Sequence, residues 1–210
     1  MVETIAVHAV FACDQTGKRA LSAKVMSVME KVARHQFVPF ELRHLAYGDH
    51  PLPIGYDKTI SQPFMVALMT DLLDVQPSDR VLEVGTGLGY QAGVLAEVAE
   101  RVYSVEIIEE LAAGARKRLD ALGYTRVETR VGDGSRGWPE HGPFDKVIVT
   151  AAPELIPPPL IAQIKPGGRM VIPAGLEDDQ KLLLVEKSAA GKLSTSELLP
   201  VRFSPLVTGD

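Results

Sequence analysis

The chain has few of the features that would place it at once in a class: cysteine, basic excess and long apolar runs. Cys13 is its only cysteine, so no internal disulfide can form and a reducing compartment is expected. The chain has 22 Lys and Arg residues and 27 Asp and Glu residues. This acidic balance argues against nucleic acid or an anionic membrane as a partner, because phosphate binding needs an excess of basic residues. No run reaches the roughly 18 apolar residues of a membrane span, and no basic segment starts an export signal. A cytoplasmic protein is therefore expected.

Patterns typical of metal sites and activated nucleophiles are also missing. The five histidines form no H-E-x-x-H motif and have no cysteine pair beside them, so no metal site is predicted. No Ser-His-Asp or Cys-His arrangement is recognisable, so covalent catalysis is not indicated.

A glycine-rich stretch, VLEVGTGLGYQAGVLA over residues 81–96, carries the first functional signal. An apolar run breaks at Gly85, Gly87 and Gly89 and then continues with helical spacing, which predicts strand, tight turn and helix. The third glycine of a dinucleotide fingerprint would fall at Tyr90, and no Gly-Lys-Ser/Thr follows, so neither that fingerprint nor a P-loop is present. Such a turn still presents backbone amides at a helix N-terminus, which suit a carboxylate on a small ligand.

Strands and helices alternate after Pro77, which predicts a doubly wound, mostly parallel α/β sheet. The predicted strands are 80–84, 102–107, 127–131, 146–150, 170–173 and 182–185, with helices at 90–98 and 109–122. The last strands, joined by SAAGKLSTS, are expected to form an antiparallel hairpin.

The first part of the chain is expected to be a helical and loop addition. Helices are predicted at 24–34 and from Ser61 to about residue 73, with Ser61 as the N-cap, and an ordered loop segment is predicted at 37–63. We expect residues 1–75 to form this addition and residues 76–210 the ligand-binding domain, as one compact unit.

Acidic residues follow the next two predicted strands. Glu106 lies roughly 20 positions after Gly85, where an acid can accept hydrogen bonds from two ribose hydroxyls. Asp133 and Gly134 end the third strand, and the glycine allows close approach of an adenine edge. With the later KPGG turn, the set resembles the class I S-adenosylmethionine (SAM) methyltransferases. The resemblance implies SAM as methyl donor, S-adenosyl-L-homocysteine as product, and a donor site made of Gly85, Thr86, Gly87, Gly89, Glu106, Ile107, Asp133 and Gly134.

A second set of segments is more specific. PLPIGYDKTISQPFMVALMTDLL, residues 51–73, together with VYSVEI, RVGDGSRGW and the terminal VRFSPL, closely resembles the protein-L-isoaspartate O-methyltransferases over residues 25–206. The resemblance implies methylation of the free α-carboxylate of isoaspartyl residues, and of D-aspartyl residues as a further substrate, in damaged proteins. The ester then closes to a succinimide, which starts repair. Isoaspartyl proteins are thus the expected partners of a monomeric enzyme.

The resemblance also assigns roles at the acceptor site. Ser61 is implied as the active-site residue, with Thr59 and Ile60 shaping the pocket and Arg202 and Phe203 touching the substrate. An α-carboxylate has a pKa of about 3.5 and is ionised at neutral pH, so no general base is required. Recognition is expected to use the substrate backbone, by pairing with an exposed strand edge.

Several alternatives stay open at this point. Ser61 could serve only as a helix cap, and Lys58 could attract the acceptor carboxylate or simply be a solvated loop residue. A small-molecule carboxyl or hydroxyl methyltransferase would share the glycine loop but has no reason to carry TISQP. A regulatory module that binds SAM without catalysis is a third interpretation.

Overall fold

Short runs rich in valine and isoleucine form the centre of a seven-stranded sheet. The computed structural model describes residues 1–209. The strands are β1 Leu52–Gly55, β2 Lys58–Ile60, β3 Arg80–Val84, β4 Arg101–Glu106, β5 Val127–Val131, β6 Phe144–Val149, β7 Ile164–Leu176, β8 Asp179–Lys187 and β9 Leu193–Val201. The helices are α1 Val2–Phe11, α2 Cys13–Thr16, α3 Ala23–Lys31, α4 Pro63–Leu73, α5 Tyr90–Ala96, α6 Glu109–Ala121 and α7 Pro158–Ala162.

The sheet has the order β5-β4-β3-β6-β7-β8-β9, and β1 pairs with β2 in a separate hairpin. Neighbours from β5 to β7 are parallel, whereas β8 and β9 add as antiparallel strands. The strand order reverses at β3, so the carboxyl ends of β3, β4 and β6 meet where such sheets bind ligands. The predicted doubly wound sheet with C-terminal antiparallel strands is confirmed.

Strand β7 is longer than predicted, because the KPGG segment belongs to it rather than forming a turn before it. The pairing of β6 with β7 is irregular between Phe144 and Lys146. A Cβ atom at Gly168 would lie 2.7 Å from the carbonyl oxygen of Asp145, so only glycine lets the two strands pass at this point.

The N-terminal part contains elements that local sequence patterns do not reveal. Helices α1 and α2 occupy the stretch before Lys24, which is helix-like in sequence but for which no helix bounds are predicted, and the segment expected to be a loop contains the hairpin of β1 and β2. Helix α3 ends at Lys31, earlier than predicted, and a 3-10 turn follows at Arg34–Gln36. Ser22 caps α3, with its Oγ accepting a hydrogen bond from the Val25 N–H at 3.3 Å.

One hydrophobic core joins the two predicted parts of the chain. Ile5 of α1 and Met29 of α3 share a buried cluster with Val81 of β3. Leu82 points to the other face of the sheet and packs in a second cluster with Trp138, as expected from the alternation of side chains along a strand. Within residues 1–209, no helix combines the length and apolar character needed to cross a bilayer.

Helix α4 connects the N-terminal part to the sheet. All its residues are buried, and it packs against α1 and α3 on one side and against β6 and β7 on the other. This packing fixes the segment just before α4, which contains Ser61, against the ligand-binding edge of the sheet.

Candidate active site

The glycine loop between β3 and α5 has the backbone conformation that its glycines suggest. Gly85, Gly87 and Gly89 all have positive φ, at 95°, 53° and 88°. At Gly85 a Cβ atom would lie 2.4 Å from Oγ1 of Thr150. That hydroxyl donates to the carbonyl oxygens of Val84 and Gly85, at 3.1 and 2.8 Å, so it cannot easily turn away. The loop therefore requires glycine at residue 85 both for conformation and for space.

Glu106 braces the glycine loop from the end of β4. One carboxylate oxygen accepts the N–H of Gly87 at 2.8 Å, and the other accepts the N–H of Ile108 at 3.1 Å. A carboxylate offers about four lone-pair positions, so two remain to accept hydrogen bonds from a ligand. The predicted ribose role is therefore compatible with the geometry, and the bracing role is one that the sequence does not indicate.

A buried chain of hydrogen bonds lies beneath the loop. The Ser104 hydroxyl donates to Glu83 at 2.5 Å and lies 2.6 Å from the Thr86 hydroxyl. Burial raises the pKa of Glu83 to about 8; the hydrogen bond from Ser104 opposes this shift and the nearby charge of Glu106 adds to it. Thr86 is assigned to the donor site by resemblance, but its side chain makes a hydrogen bond with Ser104 below the loop.

Gly134 and Asp133 have different surroundings from those expected. A Cβ atom at Gly134 would lie 2.3 Å from Cγ1 of Val84, so packing against β3 already requires glycine here. Asp133 caps the following 3-10 turn by accepting the Ser135 N–H at 2.9 Å. Burial opposes a lower pKa for Asp133, but hydrogen bonds from Ser135 and the Gly209 backbone and the charge of Arg136 outweigh it, so the pKa is lowered.

We call the space beside this loop the glycine-loop cavity; residues of the predicted donor site that line it are Gly85, Gly87, Glu106, Ile107 and Gly134. On its other side lies the C-terminal segment 204–207, where the N–H of Leu206 bonds to the Ala152 carbonyl oxygen at 2.9 Å. The free volume is about 80 Å³. Ligand pockets usually measure roughly 300–1,000 Å³, so a nucleoside-sized ligand needs a wider cavity, and the segment 204–207 forms one of its walls.

A second and larger space, which we call the Ser61 groove, holds about 850 Å³. Of the predicted acceptor residues, Thr59, Ser61, Arg202 and Phe203 line it. Ile60 is buried in the core instead and lines neither space, so its shaping role would be indirect. Lys58 is half-buried and lines the glycine-loop cavity, which distinguishes it from an ordinary solvated loop lysine.

The prediction that Ser61 caps helix α4 is wrong. The N-cap is Gln62, which makes no capping bond with its own side chain, and the helix begins at Pro63. The N–H of Phe64 is satisfied instead by Asp49, at 2.7 Å, from 15 positions earlier in the chain. Because a distant carboxylate does the capping, the Ser61 hydroxyl is not committed to that task.

Asp49 joins three segments around the Ser61 groove. Besides the Phe64 N–H, its carboxylate accepts the side-chain amide of Gln62 at 2.9 Å and contacts Nδ1 of His8 in helix α1. The Asp49 side chain is 3% exposed, so these partners replace the water it would otherwise bind. Reasoning from sequence misses Asp49, because its partners lie far away along the chain.

Arg34 is a buried charge beside the start of α5, and sequence patterns miss it as well. Its side chain is fully buried, with the guanidinium 5.0 Å from the centre of the Tyr90 ring at the start of α5. Burial lowers the pKa of Arg34 to about 10, while Tyr90 and Asp49 act in the opposite direction. Arg34 therefore remains a cation at neutral pH.

Phe203 is fixed through its backbone. Its N–H donates to the side-chain oxygen of Gln180 at 2.7 Å, and its carbonyl accepts the Gln180 amide at 3.1 Å. Gln180 itself is buried, so the clamp is shielded from water. Among residues 1–209 no group of three or more His, Cys, Asp or Glu side chains is placed to hold a metal ion.

A doubly wound sheet with a glycine loop after β3 and an acid ending β4 defines a class I methyltransferase, which uses SAM as methyl donor. The family model described as protein-L-isoaspartate(D-aspartate) O-methyltransferase matches residues 7–210. The chain belongs to this family.

Named relatives agree with this assignment. The chain is 62% identical to protein-L-isoaspartate O-methyltransferase 1 of Polaromonas sp. (strain JS666 / ATCC BAA-500), covering 98% of this chain and 87% of the relative. It is 56% identical to the protein of the same name from Cupriavidus necator, covering 99% and 80%.

Solved structures support the fold. A Plasmodium falciparum protein crystallised with S-adenosyl-L-homocysteine gives a TM-score of 0.78 at 22% identity, covering 90% of this chain and 92% of that one. A second structure, of a protein-L-isoaspartate O-methyltransferase, gives 0.80 at 27% identity, covering 98% and 65%.

Proposed function

We propose that the chain transfers a methyl group from SAM to the free α-carboxylate of L-isoaspartyl residues in damaged proteins, with D-aspartyl residues as a further acceptor. The observation that carries this proposal is the placement of Ser61. Its TISQP box lies at a groove that meets the glycine-loop cavity, and its hydroxyl is not needed as a helix cap. The names of the relatives support the same substrate class.

The residues around the glycine-loop cavity suit the chemistry of the donor, although the cavity itself is smaller than a nucleoside. Glu106 has lone pairs left for ribose hydroxyls, and the absence of a Cβ at Gly85 and Gly87 leaves backbone exposed at the cavity wall. When bound, SAM supplies a methyl group activated by a positively charged sulfur. The residues assigned to donor binding are thus expected to orient that group towards the Ser61 groove.

On the acceptor side, we expect Ser61 to donate a hydrogen bond to the isoaspartyl carboxylate. Oxygen attack forms the new C–O bond as the C–S bond breaks, and no proton has to be removed because the carboxylate is already ionised. The contribution of the protein is therefore positioning, which can supply roughly 7–11 kcal/mol in favourable cases. A partly apolar site also favours a reaction in which two opposite charges neutralise each other.

The alternative is a methyltransferase for small-molecule carboxylates or hydroxyls. The size and openness of the Ser61 groove favour a longer acceptor, since a small molecule would leave much of the 850 Å³ unfilled.

The expectation that the enzyme is a monomer stays a prediction.

The proposal is tested with radiolabelled SAM and one peptide made in two forms, with isoaspartate or aspartate at the same site. Base-labile methyl incorporation into the isoaspartyl form alone is expected. Incorporation into neither form, with S-adenosyl-L-homocysteine still bound, would overturn the proposal and favour the small-molecule or regulatory interpretation.

The Ser61→Ala variant tests the assigned role. We expect turnover to fall by about tenfold or more while the Kd for S-adenosyl-L-homocysteine stays nearly unchanged, since Ser61 does not line the glycine-loop cavity. Normal turnover in this variant would remove Ser61 from the mechanism.

A further inference from the structure

The Ser61 groove and the glycine-loop cavity meet at four shared residues, Thr59, Thr150, Ser204 and Pro205. An acceptor carboxylate at this junction can therefore reach the donor. The groove extends well past the junction, and its volume of about 850 Å³ lies near the upper end for a whole ligand. A single isoaspartyl residue would fill only part of it, so the rest of the groove needs another occupant.

Helix α1 and the start of α2 form one wall of the groove. Ile5 and Ala9 hold α1 against the core, whereas His8 and Phe11 face the groove. The Phe11 ring is 80% exposed. Val10, on the same helix, is also half-exposed but does not line the groove. Because this ring faces a groove beside the site, it is available for contact with a chain bound there.

The end of β9, residues 199–201, also lines the groove and leads into Arg202 and Phe203. β9 is the last strand of the sheet, paired with β8 on one side only within residues 1–209. An extended polypeptide in the groove would therefore meet both the outer edge of β9, where Pro200 offers only its carbonyl, and the Phe11 ring of α1.

We propose that α1 is part of the acceptor site, and that Phe11 contacts the polypeptide flanking the isoaspartyl residue. The inference rests on the proposed function and adds a specificity-determining residue to it. The occupant is the substrate chain, because the groove is continuous with the pocket that receives its carboxylate. An apolar ring suits this task, since damaged sites occur in many sequences and contact with a ring does not depend on one particular neighbour.

The test compares Phe11→Ala with Val10→Ala, a matched truncation on the same helix outside the groove. Each variant receives two acceptors at saturating SAM. One is a peptide with several residues on each side of the isoaspartate. The other is a lone isoaspartyl residue, acetylated at its nitrogen and amidated at its β-carboxyl group.

For Phe11→Ala we expect the KM of the long peptide to rise about fivefold to tenfold, with kcat and the KM of the short acceptor changing by less than about twofold. Val10→Ala is expected to leave all these values within about twofold of those of the unmodified chain. Phe11 is too exposed for its truncation to threaten folding.

Four outcomes would overturn the inference. An unchanged KM for the long peptide would remove Phe11 from the binding surface. Equal increases in KM for the two acceptors, or equal changes in KM for the two variants, would mean that the substitution disturbs the enzyme as a whole. If the unmodified chain binds S-adenosyl-L-homocysteine but methylates neither acceptor, the proposed function fails, and the inference falls with it.

Discussion

The two halves of the site are built in different ways. One wall of the glycine-loop cavity is made of backbone and the Glu106 carboxylate from consecutive elements, β3, the glycine loop and β4, and the segment 204–207 forms another wall. The Ser61 groove is made of exposed or half-buried side chains from α1, the TISQP box and the C-terminal segment. The first arrangement suits one invariant ligand, and the second suits acceptors that vary in sequence. We therefore expect a substitution in one half of the site to leave ligand binding at the other half unchanged.

The largest effect is expected from Gly85→Ala. The new Cβ would force Thr150 to give up its two hydrogen bonds and would place alanine at a positive φ. We expect the Kd for S-adenosyl-L-homocysteine, measured by calorimetry, to rise about a hundredfold. Gly114→Ala is the control, because it lies within α6 with open space around its Cβ position, and it should leave the Kd unchanged. A normal Kd for Gly85→Ala would contradict the account of the loop.

Glu83→Gln should change how stability depends on pH. The folded pKa of about 8 lies above the ordinary value of 4.5, so the folded state holds the proton more tightly. Stability from this group is full below pH 4.5 and is lost as pH rises through 8. Between about pH 6 and pH 8 we expect the unmodified chain to lose on the order of 2 kcal/mol more unfolding free energy than the variant, measured in urea. If the unfolding free energies of the two chains changed equally with pH, this prediction would be wrong.

Asp49→Asn should disturb the acceptor half selectively. The amide would face the N–H groups of Phe64 and Gln62 with fewer acceptor positions, and the contact with His8 would lose its charge. We expect kcat/KM for an isoaspartyl peptide to fall about tenfold, with the Kd for S-adenosyl-L-homocysteine within about twofold. Asp14→Asn on the exposed side of α2 is the control and should change neither. A weaker donor complex would instead show that Asp49 couples the two halves.

The smallest effect is expected from removing the end of the C-terminal segment, which lines only the glycine-loop cavity. A chain ending at Pro205 lacks Leu206 and Val207, which line the glycine-loop cavity. Because the cavity leaves too little room for the donor, we expect association of labelled donor, followed before the steady state, to become about threefold faster. A chain ending at Val207 keeps this wall and should associate at the ordinary rate. Equal rates for all three chains would mean that the segment does not limit entry.

The sequence alone was sufficient for the backbone of the glycine loop and for the sheet that carries it. Strand, glycine turn and helix are local features, and the register of the glycines by itself excludes a dinucleotide site. The doubly wound sheet followed from the alternation of strands and helices. The TISQP box likewise indicated Ser61 as a candidate active-site residue, because the box resembles that of one family.

Only the tertiary structure decided how distant segments complete the two halves of the site. Local spacing favoured Ser61 as the cap of α4, but Asp49 supplies that hydrogen bond from a remote position. Gly134, expected to admit a ligand, is required by Val84, and the C-terminal segment closes a cavity formed far earlier in the chain. Local patterns determine backbone conformation, because that depends on near neighbours. Contacts between distant segments depend on how the whole core packs, so no short motif predicts them.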